Sequence, residues 1–471
     1  MRISPLAIAF GALFGVLITL QPVSDSDLFW HLATGLRTLA GDLPRTDVFS
    51  WSAAGTPVFT DQWLGDAIIA LAYSLASWPG VLALRALAVA ALVALTVDSA
   101  VAARPGRPIV AVAAALPAIA LSRFAWSDRP ELLALVCFVL MVRLLRGGDR
   151  ELLLSVPLLF VWAQLHGSYA LGLGLILASC AARALEDDRE RWRFLPIASF
   201  AVLATLLTPS GLAAWTSSGG HFLAPPRFVA EEGVPDARTF PGVLFLITLA
   251  LVIATATTSR RVGLREVAIL LPVAFVALTA ARHTPLLAIA AAPYFASRWP
   301  DPLSPWRAQE ERRRPTEGPR GAGDPVAAQR RGARRREGFG RPAALVAALV
   351  LIGAAVGFAG AKVDESGYPR AALGALPSGA GTLNLYNWGG WLIWAKPDTP
   401  VFIDGRLFPY VPDVFDDYRE IVRAGPAWES LVAKRGVTTI FVGANDAIAV
   451  RAVERGWRVA YRDQIAVVLV R

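Results

Sequence analysis

SDSDLFWHLATGLRTLAGDLPRTDVFSWSAAGTPVFTDQW (residues 24–63) is the first long polar segment of the chain. It follows an apolar N-terminal run and carries five aspartates, Asp25, Asp27, Asp42, Asp47 and Asp61. Asp25 and Asp27, separated by one residue, stand where the apolar run ends. Carboxylates beside hydrocarbon are costly to keep, so such a pair is a functional candidate. A blander role competes: Ser24 or Asp25 caps a helix running from Asp27 to about Leu39, since Ser and Asp accept the orphan N–H groups of a helix start. Spacing alone favours the cap.

Outward from this segment the chain is apolar. Of its 471 residues 55% are hydrophobic and 18% charged, where a soluble domain carries about 25% charged residues. Runs close to the roughly 20 residues that span a bilayer recur along most of the length. They fall at about 5–22, 81–103, 108–125, 130–146, 151–166, 169–185, 194–209, 241–258, 265–281, 284–298 and 342–361. No small-residue cleavage site follows the first run, which reads as an uncleaved span rather than a signal peptide. The stretch 63–79, hydrophobic but short and holding Asp66, reads as a half-buried or interfacial helix.

The net charge of +9 does not point to nucleic acid, because Arg concentrates between spans, where membrane topology accounts for it. Arg104 to Arg107, Arg146 to Arg150, Arg183 to Arg193, Arg260 to Arg265 and the stretch after Arg298 alternate as inside segments. That alternation places the first loop, 122–130, 165–169, 209–241 and 281–285 together on the outer side. All four histidines, His31, His166, His221 and His283, land there. A histidine at a helix end is more often a hydrogen-bonded structural residue than a ligand. Cys137 and Cys180 both lie in apolar spans and say nothing of a redox compartment.

The expected fold is an all-α polytopic membrane bundle of about 11 spans with a small C-terminal extracytoplasmic α/β domain. Residues 1–299 form the transmembrane part, with the first outer loop at 23–62. Residues 300–341, rich in Arg, Pro and Gly, cannot bury a core and form a disordered cytoplasmic linker able to touch anionic membrane lipids. The last span is 342–362 and the α/β domain 365–471. In that domain TLNLYNWGGWLIW, PVFIDGR, VTTIFVG, WRVAYRD and IAVVLVR read as β-like runs, and 411–423, 427–434 and 446–455 as helices. Gly389-Gly390 and Asp404-Gly405 read as turn punctuation. Trp388, Trp391 and Trp394 read as core aromatics of a buried strand.

There is no zinc signature, Walker loop, dinucleotide fingerprint or nucleophile elbow. Topology instead gathers Asp25, Asp27, His31, Asp128, Arg129, His166, Glu231, Glu232, Arg282 and His283 at one face. Arg neutralises phosphate bidentately and Asp can take a proton from a hydroxyl, which suits chemistry on a lipid phosphate. A divalent cation held by carboxylates could share the phosphate role.

The acidic pair after the first span, followed by a long outer loop, resembles the C-type glycosyltransferase superfamily, multi-span enzymes that use polyprenyl-phosphate-linked sugars. DSDLFWHLATG (25–35), GDLPRTDVFS (41–50) and DQWL (61–64) are similar to a bacterial branch of it, as are SRFAWSDRPELL (122–133), WAQLHGSYALG (162–172), TPSG (208–211), ARHTPLLAIAAAP (281–293), NLYNWGGWLIW (384–394) and PVFIDGR (400–406). The likeness covers nearly all of the chain except the linker. It implies transfer of a sugar from a polyprenyl-phosphate donor to an extracytoplasmic glycan, lipid or protein acceptor, with inversion, at the bacterial cytoplasmic membrane, the N-terminus inside and the C-terminal domain outside. Carried over, Asp25 or Asp27 matches the first-loop catalytic acid and Asp128 the second acidic site. His31, Arg129, His166, Glu231, Arg282 and His283 become substrate-binding candidates, and Asp25, Asp27 and Asp128 candidate ligands of Mg²⁺ or Mn²⁺. Arg129-Pro130 after Asp128 departs from the simpler Ser-x-x-Asp pattern of many members. Two other classes remain open: a transporter of a lipid-linked molecule, weakened by the lack of an inverted repeat, and a non-catalytic assembly or sensing protein whose aspartates are caps.

Overall fold

The computed structural model describes residues 3–59, 61–186, 191–216, 230–258, 262–304, 353 and 357–471. The helical part runs α1 (Pro5–Thr19), α2 (Leu28–Leu39), α3 (Trp63–Ala103), α4 (Pro108–Ser122), α5 (Pro130–Leu145), α6 (Asp149–Leu165), α7 (Tyr169–Glu186), α8 (Leu195–Leu206), α9 (Phe240–Thr258), α10 (Leu264–Thr279) and α11 (Thr284–Arg298). Among the described residues, four helices are long and apolar enough to cross a membrane, Trp63–Ala103, Pro108–Ala125, Tyr169–Glu186 and Phe240–Thr258. Shorter apolar helices, Pro5–Thr19 and Trp192–Leu206, stand beside them. This is a multi-pass membrane protein. The expected spans up to 298 each coincide with a helix, while most of 342–362, and the linker from 305 on, lie outside the described residues.

Small residues set the packing. A Cβ on Gly11 would lie 2.5 Å from the carbonyl oxygen of Ala90, and one on Gly15 would lie 2.9 Å from the Ala90 Cβ, so α1 and α3 approach backbone to backbone. The stretch 63–79 is the first arm of α3, set off from the 81–103 arm by a kink where Ala76 and Ser77 leave helical geometry. Pro79 stands two residues after Ser77, unable to donate into the ladder. At one end of the bundle arginines tie the turns down: Arg107 to Asp301 (2.7 Å), Arg143 to Asp98 (2.5 Å), Arg183 to Asp149 (3.0 Å) and Arg265 to Glu186 (2.6 Å). The opposite end holds the first loop and the acidic groups.

The C-terminal unit has one four-stranded sheet, order β1-β2-β4-β3, from β1 (Thr382–Asn384), β2 (Thr439–Gly443), β3 (Arg458–Arg462) and β4 (Ala466–Val470). β1 pairs parallel with β2, and β4 is antiparallel to both β2 and β3. Helices α12 (Tyr386–Ala395), α13 (Asp413–Val422), α14 (Trp428–Arg435) and α15 (Ala447–Glu454) cover it. Two sequence expectations are corrected here. Only TLN of TLNLYNWGGWLIW is strand; YNWGGWLIWA is helix, with Trp388, Trp391, Leu392 and Ile393 on its buried side. PVFIDGR is not a ladder strand: Val401 makes a single bridge to Ser50 and the chain then bends. Both runs are rich in aromatic and β-branched residues, whose strand preference tertiary packing overrides.

The first loop is threaded into this unit. Val23 pairs with Val363, the Trp51 amide donates to the Val401 carbonyl at 3.0 Å, and the Trp51 indole donates to the Thr382 carbonyl at 3.0 Å. Phe29 of α2 is buried in the same cluster as Trp388, Trp391 and Phe441. The aromatic residues of α12 are therefore core. Trp391 is fully buried and stacks on Tyr368, and Trp394 packs edge-on against Tyr73 and Trp78.

Candidate functional site

Asp27 is the N-cap residue of α2, yet neither it nor Ser24 makes a side-chain cap. The Asp25 Oδ1 accepts the backbone N–H of Asp27 at 2.9 Å and its carbonyl accepts that of Leu28 at 3.3 Å, so Asp25 satisfies donors at the start of α2. The capping role that spacing favoured is thus met by Asp25, whose other oxygen is left for a second partner. What holds the pair is Arg129, at the N-cap of α5. Its Nε lies 2.7 Å from Asp25 Oδ2, one terminal nitrogen 3.2 Å from Asp27 Oδ2 and the other 3.3 Å from Glu231 Oε1. One guanidinium serves three carboxylates, which its fixed fork of donors allows and an ammonium would not.

Asp128, next in the chain, faces the other way. Its Oδ2 takes Arg85 at 3.0 Å, with the two side chains 1% and 5% exposed, while its Oδ1 is buried and has no hydrogen-bond partner among the described residues. Arg85 also donates to the carbonyls of Ile18 (3.3 Å), Gln21 (2.5 Å) and Pro22 (3.2 Å), at and just beyond the end of α1. This lone arginine fixes where the first span stops and the acidic pair begins. A cavity of about 460 Å³ opens here, lined by Ser24, Asp25, Arg85, Arg123, Phe124, Trp126 and Asp128 among others. The Trp126 indole N–H, like Asp128 Oδ1, is buried and unpartnered. Among the described residues no carboxylate pairs with Arg123, which is exposed at the cavity's edge.

Burial raises the pKa of Asp27, with Asp25 adding to the rise and Arg129 opposing it. Burial likewise pushes Asp128 up to about 7 against the pull of Arg85. His31 is pushed down to about 3 by burial, so its imidazole is neutral. Its Nδ1 sits 2.7 Å from Asp66 Oδ1, and both residues are buried between α2 and α3.

The other expected residues are distributed as follows. Arg282 pairs with the buried Glu232 at 2.6 Å, and the Ala281 amide donates to the Gly233 carbonyl at 2.7 Å, bringing the 230–233 turn onto the acidic end with Glu231. His166 Nδ1 lies 2.9 Å from Ser168 Oγ, and His283 Nδ1 lies 3.4 Å from Thr279 Oγ1; both are local helix-end contacts. His221 lies outside the described residues. Arg45 of the first loop reaches the Pro209 carbonyl at 2.8 Å, so the loops that alternation placed on one side do meet.

Sequence reasoning missed Arg85, Arg123 and a buried network in the C-terminal unit. Arg85 had a signal, as an ionisable residue inside an apolar span. The network had none. Asp47 and Arg406, 359 residues apart, pair at 2.5 Å, and Arg406 also grips Asp404 through Nε (2.8 Å) and a terminal nitrogen (2.6 Å).

Asp25, Asp27 and Asp128 are hard oxygen donors of the type Mg²⁺ or Mn²⁺ takes. As arranged they do not fit such an ion: no three His, Cys, Asp or Glu side chains are gathered for one among the described residues, and the Arg129 guanidinium takes the cation's place between Asp25 and Asp27.

The fold, a helical membrane bundle with a large first loop packed against a C-terminal unit, is similar to that of solved polytopic membrane glycosyltransferases. One such structure is the oligosaccharyltransferase of Archaeoglobus fulgidus in its apo form, at TM-score 0.58 and 13% identity over 93% of this chain and 69% of that one. The same enzyme in complex with an inhibitory peptide and a dolichol-phosphate matches at TM-score 0.57, 13% identity, and 93% and 69% coverage. ArnT from Cupriavidus metallidurans bound to undecaprenyl phosphate matches at TM-score 0.49 and 15% identity, over 98% and 96% of the two chains. By sequence, no protein-family model and no curated protein matches.

Proposed function

We propose that the chain is an integral membrane glycosyltransferase that moves a sugar from a polyprenyl-phosphate donor to an acceptor outside the bacterial cytoplasmic membrane, with inversion. The observation that carries this is the pairing of Asp25 and Asp27 on Arg129 beside a cavity whose wall holds both a buried unpartnered carboxylate oxygen and an exposed arginine. The orientation is supported by the arginine-tied turns at the opposite end, the bias of cytoplasmic loops. The fold supports the donor class, since the matched oligosaccharyltransferase has been solved with a dolichol-phosphate.

In this reading Asp27 takes the proton of the acceptor nucleophile. The acceptor atom then bonds to the anomeric carbon from the face opposite the phosphate. The bond from that carbon to the phosphate oxygen breaks, and its electron pair leaves with the polyprenyl phosphate. Arg123 faces the growing phosphate charge, with Arg129 behind it. Asp25 keeps Arg129 and the Asp27 amide in place, and Asp128 Oδ1 accepts a hydrogen bond from a donor sugar hydroxyl. A raised pKa makes Asp27 a better proton acceptor than an exposed aspartate.

The test is release of free polyprenyl phosphate by the purified protein in detergent from a panel of polyprenyl-phosphate sugars, with and without Mg²⁺ or Mn²⁺. Asp27→Asn should lose about a hundredfold or more in turnover, the scale of general base catalysis, while retaining the protein in the membrane. Full activity in that variant removes Asp27 from the mechanism. Absence of both turnover and donor binding in the wild type favours an assembly protein instead.

A further inference from the structure

Three backbones meet over Asp27, and at each meeting point the sequence has glycine. A Cβ on Gly389, inside α12, would lie 2.1 Å from the Ile403 carbonyl oxygen and 2.7 Å from Asp404 Cα. One on Gly390 would lie 2.6 Å from the Ser26 carbonyl oxygen. One on Gly405 would lie 1.9 Å from Asp27 Oδ1 and 2.8 Å from its Cγ. The Ile403–Gly405 turn therefore lies flat on α12, and the two together press on Ser26 and Asp27. The glycines that read as turn punctuation are contact surfaces. Gly405 has no left-handed φ, so its lack of a side chain answers to Asp27 and not to its own backbone.

The turn is clamped on its far side. Arg406 bridges Asp404 and Asp47, both fully buried, and donates to Tyr410 Oη at 2.8 Å; Tyr410 in turn donates to Asp404 Oδ2 at 2.6 Å. Asp47 belongs to the first loop and Asp404 to the C-terminal unit. The ion pair thus ties the loop that carries the acidic pair to the turn that covers it. Tyr386 Oη donates to the Gly405 carbonyl at 3.4 Å from α12, completing the frame.

The geometry points to the Gly405 turn as the wall that positions Asp27, with Arg406 as the positioning residue that holds the wall in place. The C-terminal unit is then part of the site's acceptor side and not a separate recognition module. This rests on the assignment of Asp27 as base.

The experiment uses the full-length protein in detergent as Gly405→Ala, Arg406→Lys and Arg406→Gln. Gly405→Ala should lower kcat between about tenfold and a hundredfold, the range that a misplacement of about 1 Å costs, with the donor KM within about twofold. Arg406→Lys keeps a cation between the carboxylates but loses the fork, and should show the same split. Arg406→Gln strands two buried carboxylates, so it is read only where the protein folds. A second readout does not depend on turnover. Amide hydrogen exchange of residues 26–31 and 403–406 should rise at least about tenfold in Gly405→Ala and Arg406→Lys, with the β2 and β4 amides unchanged, as a local opening requires. Unchanged kcat and unchanged exchange overturn the proposal. So does lost protection across the whole sheet with kcat per folded molecule intact, which marks a merely structural role. If no donor gives turnover or binds in the wild type, the glycosyltransferase reading fails, and exchange still decides whether the turn holds Asp27.

Discussion

Asp128 gives a prediction whose sign runs against intuition about buried ion pairs. Burial pushes its carboxyl from 3.8 up to about 7 even with Arg85 alongside and Asp25 adding its repulsion. A rise of about 3 units, at about 1.4 kcal/mol each, is about 4 kcal/mol lost when the group ionises in the folded protein. Because the folded pKa lies above the unfolded one, the loss is absent below pH 3.8, grows through the window up to about 7 and is complete above it. Asparagine keeps an acceptor for Arg85 and carries no charge, but its amide needs a partner, which returns about 1–3 kcal/mol of the gain. Asp128→Asn should therefore melt at the same temperature as wild type or a few degrees higher at pH 8, with the difference vanishing toward pH 4. Its 15 tryptophans make thermal unfolding in detergent readable by intrinsic fluorescence. Arg85→Met should do the opposite, costing about 3–5 kcal/mol as a broken buried pair does, since it also abandons three carbonyls at the end of α1. A melting point several degrees below wild type for Asp128→Asn at pH 8 would refute the reasoning and make Asp128 a structural ion-pair partner. The donor KM of the same variant should rise about tenfold, the worth of a hydrogen bond to a charged group.

Asp25→Asn removes a charge that raises the Asp27 pKa and frees Arg129 to pair more fully with Asp27; both lower that pKa, so the acid limb of the kcat/KM profile should move to lower pH. An upward shift would contradict the coupling. Arg129→Lys offers one point charge where three carboxylates converge, and turnover should fall at least about tenfold, measured as polyprenyl phosphate release. Trp391→Ala empties a fully buried core position and should cost about 3–5 kcal/mol, seen as a lower melting point of the C-terminal unit, with the donor KM of the folded fraction unchanged.

The bundle was legible because a bilayer demands long apolar runs, and those runs are plain from Pro5 to Arg298. The gathering of loops on one end was legible from alternating arginine-rich turns, and the contact of Arg129 with Asp25, 104 residues away, follows from it. Local rules failed where tertiary contact decides. YNWGGWLIWA has strand composition and two mid-helix glycines, which cost helix stability, yet it is helical, burying Trp388, Trp391, Leu392 and Ile393, and its glycines let Ile403, Asp404 and Ser26 approach its backbone. The kink at Ala76–Ser77 carries no local marker beyond Pro79. The partnership of Asp47 with Arg406 crosses 359 residues and leaves no pattern in either neighbourhood.

These failures share a location, and that location argues for function. A cap accounts for one oxygen of Asp25, but Asp27 caps nothing. The folded chain also draws Arg129 from the start of α5 and Arg85 from α3 to hold carboxylates at the edge of an apolar bundle, and covers Asp27 with a turn from the C-terminal unit. Buried ion pairs replaceable by apolar residues add little net stability, and Asp128 in its charged form subtracts from it. Three glycines that permit the cover weaken the elements they sit in. Each of these features is a cost if the acidic end is structural. Together they are what a site needs when a carboxylate must be aimed, kept basic and approached by substrate from a single side.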